Sequence, residues 1–121
     1  EEIQLRQQAA ARYQSLLPAQ VIKPTIRPHN TSVYAQYTIE VSDREQVQQA
    51  LQSKGIPTAV HYPLGLHEQP IFKELYPSTQ AFPNTENAAR RVMSLPMHPY
   101  LTLEQQEKIC SSLLDVLHAT A

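Results

Sequence analysis

Glycine is scarce in this chain of 121 residues: Gly55 and Gly65 are the only two. Average usage of about 7% would give roughly eight. The shortage excludes both G-x-G-x-x-G and G-x-x-x-x-G-K-[ST], because each needs closely spaced glycines for backbone amides to approach a phosphate. Tryptophan is absent, and cysteine occurs once, as Cys110. A single cysteine forms no internal disulfide. Its place in an amphipathic stretch reads as a buried, inert thiol, consistent with a reducing, cytoplasmic compartment. No apolar run approaches the ~20 residues that span a bilayer, so no membrane segment is expected. No run of like charge exceeds two residues, and 10 basic against 11 acidic residues leave a net charge of −1. Nucleic-acid binding, which needs clustered Lys and Arg, is not expected. The aspartates are Asp43 and Asp115. Neither reads as half of an acid–base pair.

The length suits one small domain, able to bury roughly two thirds of its unfolded surface. The chain opens on Glu1-Glu2 inside a helical pattern and reads as a piece of something longer. Ile3, Ala10, Tyr13 and Leu17 fall at helical spacing over 1–17, a pattern that needs a partner surface. Pro18 ends it. Pro24 and Pro28 make 19–31 an extended connector, with 21–26 as a candidate edge strand. Residues 33–41 alternate apolar and polar and predict a strand. Ser42 and Glu45 have capping-box spacing for a helix whose stripe is Val47, Ala50, Leu51 and Lys54. Gly55 suits the end of that helix, and 56–60 reads as a second strand, giving a β-α-β unit. Residues 61–70 are aperiodic and predict a loop, followed by a short helix over 68–76. Asn84 or Thr85 is the expected cap of a helix running to about Met93. Residues 94–97 suit a short strand. Thr102 and Gln105 form a second capping box, before a C-terminal helix ending near His118. The expected class is α/β, of the layered α+β kind: a small mixed or antiparallel sheet of two to four strands covered by helices.

Chemistry-bearing residues are few. His61 and His67 lie six apart, but no cysteine or carboxylate cluster completes a metal site. Cys110 and the serines lack the partners of a nucleophilic triad. His29, His98 and His118 read as surface residues. His61-Tyr62-Pro63 follows a strand and opens a loop, where rigid scaffolds present ligand contacts. An imidazole beside a phenol offers donors for phosphate or carboxylate groups. A structural turn is the competing reading.

From residue 29 onward the chain carries an ordered set of short motifs. Ser32-Val33-Tyr34 and Tyr37-Thr38-Ile39 come first. Gly55-Ile56-Pro57-Thr58 then runs into Val60-His61-Tyr62-Pro63 and His67-x-Gln69-Pro70. Ser94-Leu95-Pro96-Met97-His98-Pro99 and Leu101-Thr102-x-x-Gln105 complete the set. In this order and spacing they resemble the C-terminal part of the pyridoxal-phosphate-dependent sugar-nucleotide aminotransferases.

The resemblance implies the small C-terminal domain of a fold-type I aminotransferase. Residues 1–18 would be a linking helix from a large domain outside this chain, and 19–121 the small domain. It implies a homodimer, glutamate as amino donor, and the C3 keto group of a UDP-linked sugar uronate as acceptor, in bacterial lipopolysaccharide O-antigen synthesis. It implies substrate contact for His61 and Tyr62, with His67, Gln36 and Tyr34 as further candidates. Lys23, Lys54, Lys73 and Lys108 all lack the Ser-x-x-x-Lys setting that holds pyridoxal phosphate in the family. Catalytic and cofactor-binding residues are therefore expected outside this chain, and the chain alone is expected to be inactive. Two other readings stand beside this one. One is a stand-alone, non-catalytic α/β binding or interaction module. The other is an aminotransferase acting on amino acids, which would need an arginine clamp such as Arg27, Arg90 or Arg91.

Overall fold

The structure is a computed structural model that describes residues 1–77 and 81–119. Helix α1 (Glu2–Leu16) buries Ala9, Ala10 and Tyr13. Leu17 turns to extended backbone, with φ −71° and ψ 138°, as the ring of the following proline favours. The Lys23 ammonium donates to the carbonyls of Gln14 at 2.9 Å and Leu17 at 3.3 Å. It thereby satisfies backbone acceptors that the end of a helix leaves open.

Strand β1 (Tyr37–Glu40) pairs antiparallel with β2 (Val92–Leu95), Tyr37 opposite Leu95 and Glu40 opposite Val92. β1 is shorter than the expected 33–41, and the cause is local. Tyr34 has φ 46°. Its N–H goes to the Ser32 hydroxyl at 3.1 Å, and its carbonyl accepts from Arg6 of α1 at 3.2 Å. Backbone groups committed this way cannot join a ladder, and Val33 is left exposed.

The expected strands over 21–26 and 56–60 each reduce to one bridge, Ile22 with Glu40 and Ala59 with Ser94. Pro24 and Pro57 have no N–H to extend either pairing. Ser94 thus faces Thr38 on one side and Ala59 on the other. The β-α-β unit is therefore split: the segment at Ala59 runs parallel to β1, with antiparallel β2 between them.

Helix α2 (Arg44–Ser53) begins without the Ser42–Glu45 capping box. Its N-cap is Asp43 at φ 49°, with no side-chain cap bond. Its far end follows expectation. Gly55 sits at φ 77°. Its N–H bonds the Gln52 carbonyl at 2.9 Å, while the Ile56 N–H bonds that of Leu51 at 3.0 Å. This paired closure needs a left-handed residue, which glycine supplies most cheaply. A short 3₁₀ turn (Leu66–Glu68) leads into α3 (Pro70–Leu75).

Helix α4 (Pro83–Arg91) starts earlier than an Asn84 or Thr85 cap would allow. Proline suits the first helical position because its missing N–H is not needed there. The cap is Phe82, and its N–H goes to the Glu86 carboxylate at 2.9 Å. Helix α5 (Leu103–Ala119) has the expected capping box. The Thr102 N–H donates to Gln105 Oε1 at 2.9 Å, and the Gln105 N–H donates to Thr102 Oγ1 at 3.2 Å.

Tyr37, Ile39 and Val41 share one core cluster with Tyr13 of α1, Val47 and Leu51 of α2, and Leu113 and Val116 of α5. Gln106 is buried among them, and its amide donates to the Ala9 carbonyl at 2.8 Å. Cys110 lies in the same core as expected, and burial pushes its thiol up to about 11. Among the described residues, no helix is long and apolar enough to cross a membrane.

Candidate functional site

The loop that follows Ala59 carries three of the five candidate residues. It leaves the sheet through the Ala59–Ser94 bridge, whose two hydrogen bonds measure 3.1 and 2.7 Å. His61 and Tyr62 come next, joined by a cis peptide. Their rings meet edge to face with centroids 5.5 Å apart. Both are exposed, and Tyr62 is 71% accessible. Neither side chain has a hydrogen-bond partner among the described residues. Two side chains able to donate hydrogen bonds thus stand side by side on the surface, an arrangement that suits an oxygen-rich anion.

Gly65 lies further along the loop with φ −63° and ψ 157°, ordinary extended backbone. Space makes it glycine. A Cβ there would stand 2.7 Å from His67 Cε1 and 2.8 Å from Thr85 Cγ2. The Gly65 N–H donates to the Glu68 carboxylate at 2.8 Å.

His67 is half-buried against α4. Its Nε2 lies 3.1 Å from Glu86 Oε1, and its ring centroid 4.7 Å from that of Phe82. The same Glu86 oxygen accepts the Phe82 N–H at 2.9 Å. The Phe82 N–H, and after it the His67 bond, hold the Glu86 carboxyl below the ordinary glutamate range. Leu66, His67, Phe72, Tyr76, Phe82 and Thr85 line a cleft of about 550 Å³ beside this pair. A hollow of about 640 Å³ along α2, lined by glutamines and Thr58, holds none of the candidates.

The other two candidates lie elsewhere. Tyr34 packs on Tyr37 with ring centroids 6.0 Å apart, and Gln36 is exposed just before β1. Because the Ala59 segment runs parallel to β1, the chain beyond it heads toward the Glu40 end of the sheet. Tyr34 and Gln36 sit at the Tyr37 end. The fold thus groups His61, Tyr62 and His67 on one loop and separates them from Tyr34 and Gln36. Glu86 and Phe82 escaped the sequence reading. Nothing in the spacing links Glu86 to a histidine 19 residues away.

The lysines do not form an enclosed carbonyl-binding site. Lys23 caps α1, Lys54 pairs with Asp115 at 3.3 Å on the surface, and Lys73 and Lys108 are exposed. The described residues therefore do not fit a covalent anchor for pyridoxal phosphate. Of the arginines considered for a carboxylate clamp, Arg91 pairs with Glu40 at 3.4 Å, while Arg27 and Arg90 are exposed. Among the described residues, no group of three or more His, Cys, Asp or Glu side chains could hold a metal ion.

A model of the DegT/DnrJ/EryC1/StrS aminotransferase family matches residues 1–114. The chain is 46% identical over 114 residues to a UDP-2-acetamido-2-deoxy-3-oxo-D-glucuronate aminotransferase of Pseudomonas aeruginosa, covering 93% of this chain and 31% of that protein. It is 37% identical over 114 residues to a pleiotropic regulatory protein of Geobacillus stearothermophilus, covering 91% of this chain and 31% of that protein. A DegT DnrJ EryC1 StrS aminotransferase from Brucella abortus superposes with a TM-score of 0.85 at 35% identity, over 94% of this chain and 31% of that one. DesV of S. venezuelae, solved with a ketimine intermediate, gives a TM-score of 0.87 at 28% identity, with 94% and 31% covered. The chain spans about a third of the length of these relatives. The chain belongs to the DegT/DnrJ/EryC1/StrS aminotransferase family.

Proposed function

We propose that this chain is the small domain of a sugar-nucleotide aminotransferase. The whole protein would move an amino group from glutamate, through pyridoxal phosphate, to the C3 keto group of a UDP-linked sugar uronate. The observation that carries this is the 46% identity, over 114 residues, to a relative named for a UDP-linked 3-oxo sugar uronate. Residues 1–18 link to the large domain, and 19–121 form one wall of the substrate pocket. His61 and Tyr62 donate hydrogen bonds to the diphosphate or the sugar carboxylate. His67, Gln36 and Tyr34 are weaker contacts. His67 is already bonded to Glu86, and the other two lie at the far end of the sheet. The protein acts as a cytoplasmic homodimer in lipopolysaccharide O-antigen synthesis. Pyridoxal phosphate supplies the amino-transfer chemistry. Its anchor lies in the large domain, so the small domain alone transaminates nothing.

The test uses the full-length protein. Glutamate should bleach the visible absorbance of the lysine-bound cofactor, and a UDP-linked 3-keto sugar uronate should restore it. His61→Ala should raise KM for the sugar nucleotide about tenfold or more, the loss expected for a hydrogen bond to a charged group. The half-reaction with glutamate should stay within about twofold of wild type. A full-length protein without that absorbance is the non-catalytic module instead. An unchanged sugar KM removes His61 from the pocket.

A further inference from the structure

The loop bearing His61 and Tyr62 is fastened at both ends, and both fastenings reach one continuous stretch of chain. At its start, Ala59 is bridged to Ser94 of β2. At its end, His67 is bonded to Glu86 of α4. Helix α4 runs into β2 without a connector, Arg91 being followed by Val92. Helix and strand therefore form one platform for the loop.

We propose that His67 and Glu86 are positioning residues. Their hydrogen-bonded pair latches the 61–69 loop to α4, and so fixes how His61 and Tyr62 face the sugar nucleotide. The inference rests on the function proposed above.

Three observations carry it. The Glu86 carboxylate is oriented from its own helix, because the same oxygen accepts the cap N–H of Phe82 at 2.9 Å. An acceptor held by its own helix gives the histidine a fixed target. The fit of the histidine is close, since a single added carbon on Gly65 would collide with its ring and with Thr85. Apart from the buried Gly65, packing between the two fastenings is weak. Tyr62, Leu64 and Leu66 are 71, 43 and 69% exposed. A segment with so little burial takes its conformation from its ends. Three other charged groups lie near the bond, and Arg90 favours the charged Glu86 carboxylate. Glu68 accepts the Gly65 N–H, Arg90 stands one turn further along α4, and Lys73 lines the same cleft from α3.

The test uses the full-length protein with His67→Phe, Glu86→Ala and Glu86→Gln. Phenylalanine keeps the ring contact with Phe82 and removes the hydrogen bond. Glutamine keeps an oxygen able to accept from both His67 and Phe82. Expected for His67→Phe and Glu86→Ala is a KM for the UDP-linked keto sugar raised about tenfold, with the glutamate half-reaction within about twofold of wild type. Glu86→Gln should recover most of the KM. Amide hydrogen exchange gives a reading independent of turnover. In His67→Phe and Glu86→Ala, the hydrogen-bonded amides of the loop, those of Gly65, Glu68 and Gln69, should exchange about tenfold faster while those of β1 and β2 stay unchanged. Unchanged loop exchange overturns the latch, whatever the enzyme does. So does an unchanged sugar KM in an active enzyme, or an equal loss in both half-reactions. Faster loop exchange in a protein whose wild type transaminates no sugar nucleotide keeps the latch and rejects the function.

Discussion

Tyr13 and Tyr37 pack ring against ring with centroids 4.9 Å apart, and their hydroxyls are treated unequally. Tyr13 donates to the Pro96 carbonyl at 2.8 Å. The buried Tyr37 hydroxyl has no partner among the described residues. Burial raises both phenols well above the ordinary tyrosine range. An unsatisfied buried hydroxyl costs roughly 1–3 kcal/mol, and a satisfied one contributes about 1. Tyr37→Phe should therefore raise stability by about 1 kcal/mol, and Tyr13→Phe should lower it by about the same. Urea unfolding gives both values. A loss of stability in Tyr37→Phe would count against the orphaned hydroxyl.

The two glycines should fail differently. At Gly55 a Cβ meets nothing within 4 Å, but φ is 77°. Alanine there should cost about 1–2 kcal/mol of global stability through backbone strain alone. It should leave the sugar KM unchanged. At Gly65 the backbone is relaxed and the space is filled. Gly65→Ala should displace the His67 ring and raise the sugar KM, with little change in global unfolding. Paired unfolding and kinetic measurements check this. The prediction fails if Gly65→Ala loses stability without a change in KM.

Acid should loosen the loop. The Phe82 N–H first, and the His67 bond second, lower the pKa of Glu86, and Arg90 adds to the effect. A carboxyl with a lower pKa in the folded state binds fewer protons there. Its contribution is complete above the unfolded glutamate value of about 4.3. It is lost as pH falls through the lowered folded value. Loop exchange, corrected for its intrinsic pH dependence, should rise as pH falls below about that value. Glu86→Gln should remove the rise. A wild-type profile that stays flat in acid would contradict the role given to the carboxylate.

Cys110 should be silent to thiol reagents in the native state. It is 4% exposed, and burial pushes its thiol up to about 11. Reaction needs the thiolate, so alkylation at neutral pH should wait for unfolding and become fast in urea. Fast alkylation of the native protein would show that the core opens around α5.

Local signals were legible and distant ones were not. Gly55 and the Thr102–Gln105 box act through bonds to neighbours in sequence, and both formed as read. Residues 33–36 alternate like a strand, but Arg6 lies 28 residues upstream and takes the Tyr34 carbonyl. Ser42 had the right spacing for a cap, and the left-handed turn at Asp43 removed it. The His61-Tyr62 loop was recognisable from its motif. What holds it was not, because Glu86 lies 19 residues from His67 in sequence.

Ser94 holds Thr38 on one side and Ala59 on the other, so the middle of the sheet is the last part of it to be synthesised. On the ribosome, β1, α2 and the His61–Tyr62 loop emerge before β2, the strand that joins β1 to the Ala59 segment. Their order waits for a segment some thirty residues further on. Contacts this distant in sequence form slowly. Until β2 emerges, the nascent chain exposes an unpaired edge on β1 and on the Ala59 segment. Both are openings for wrong pairing with another copy, and β2 closes them together.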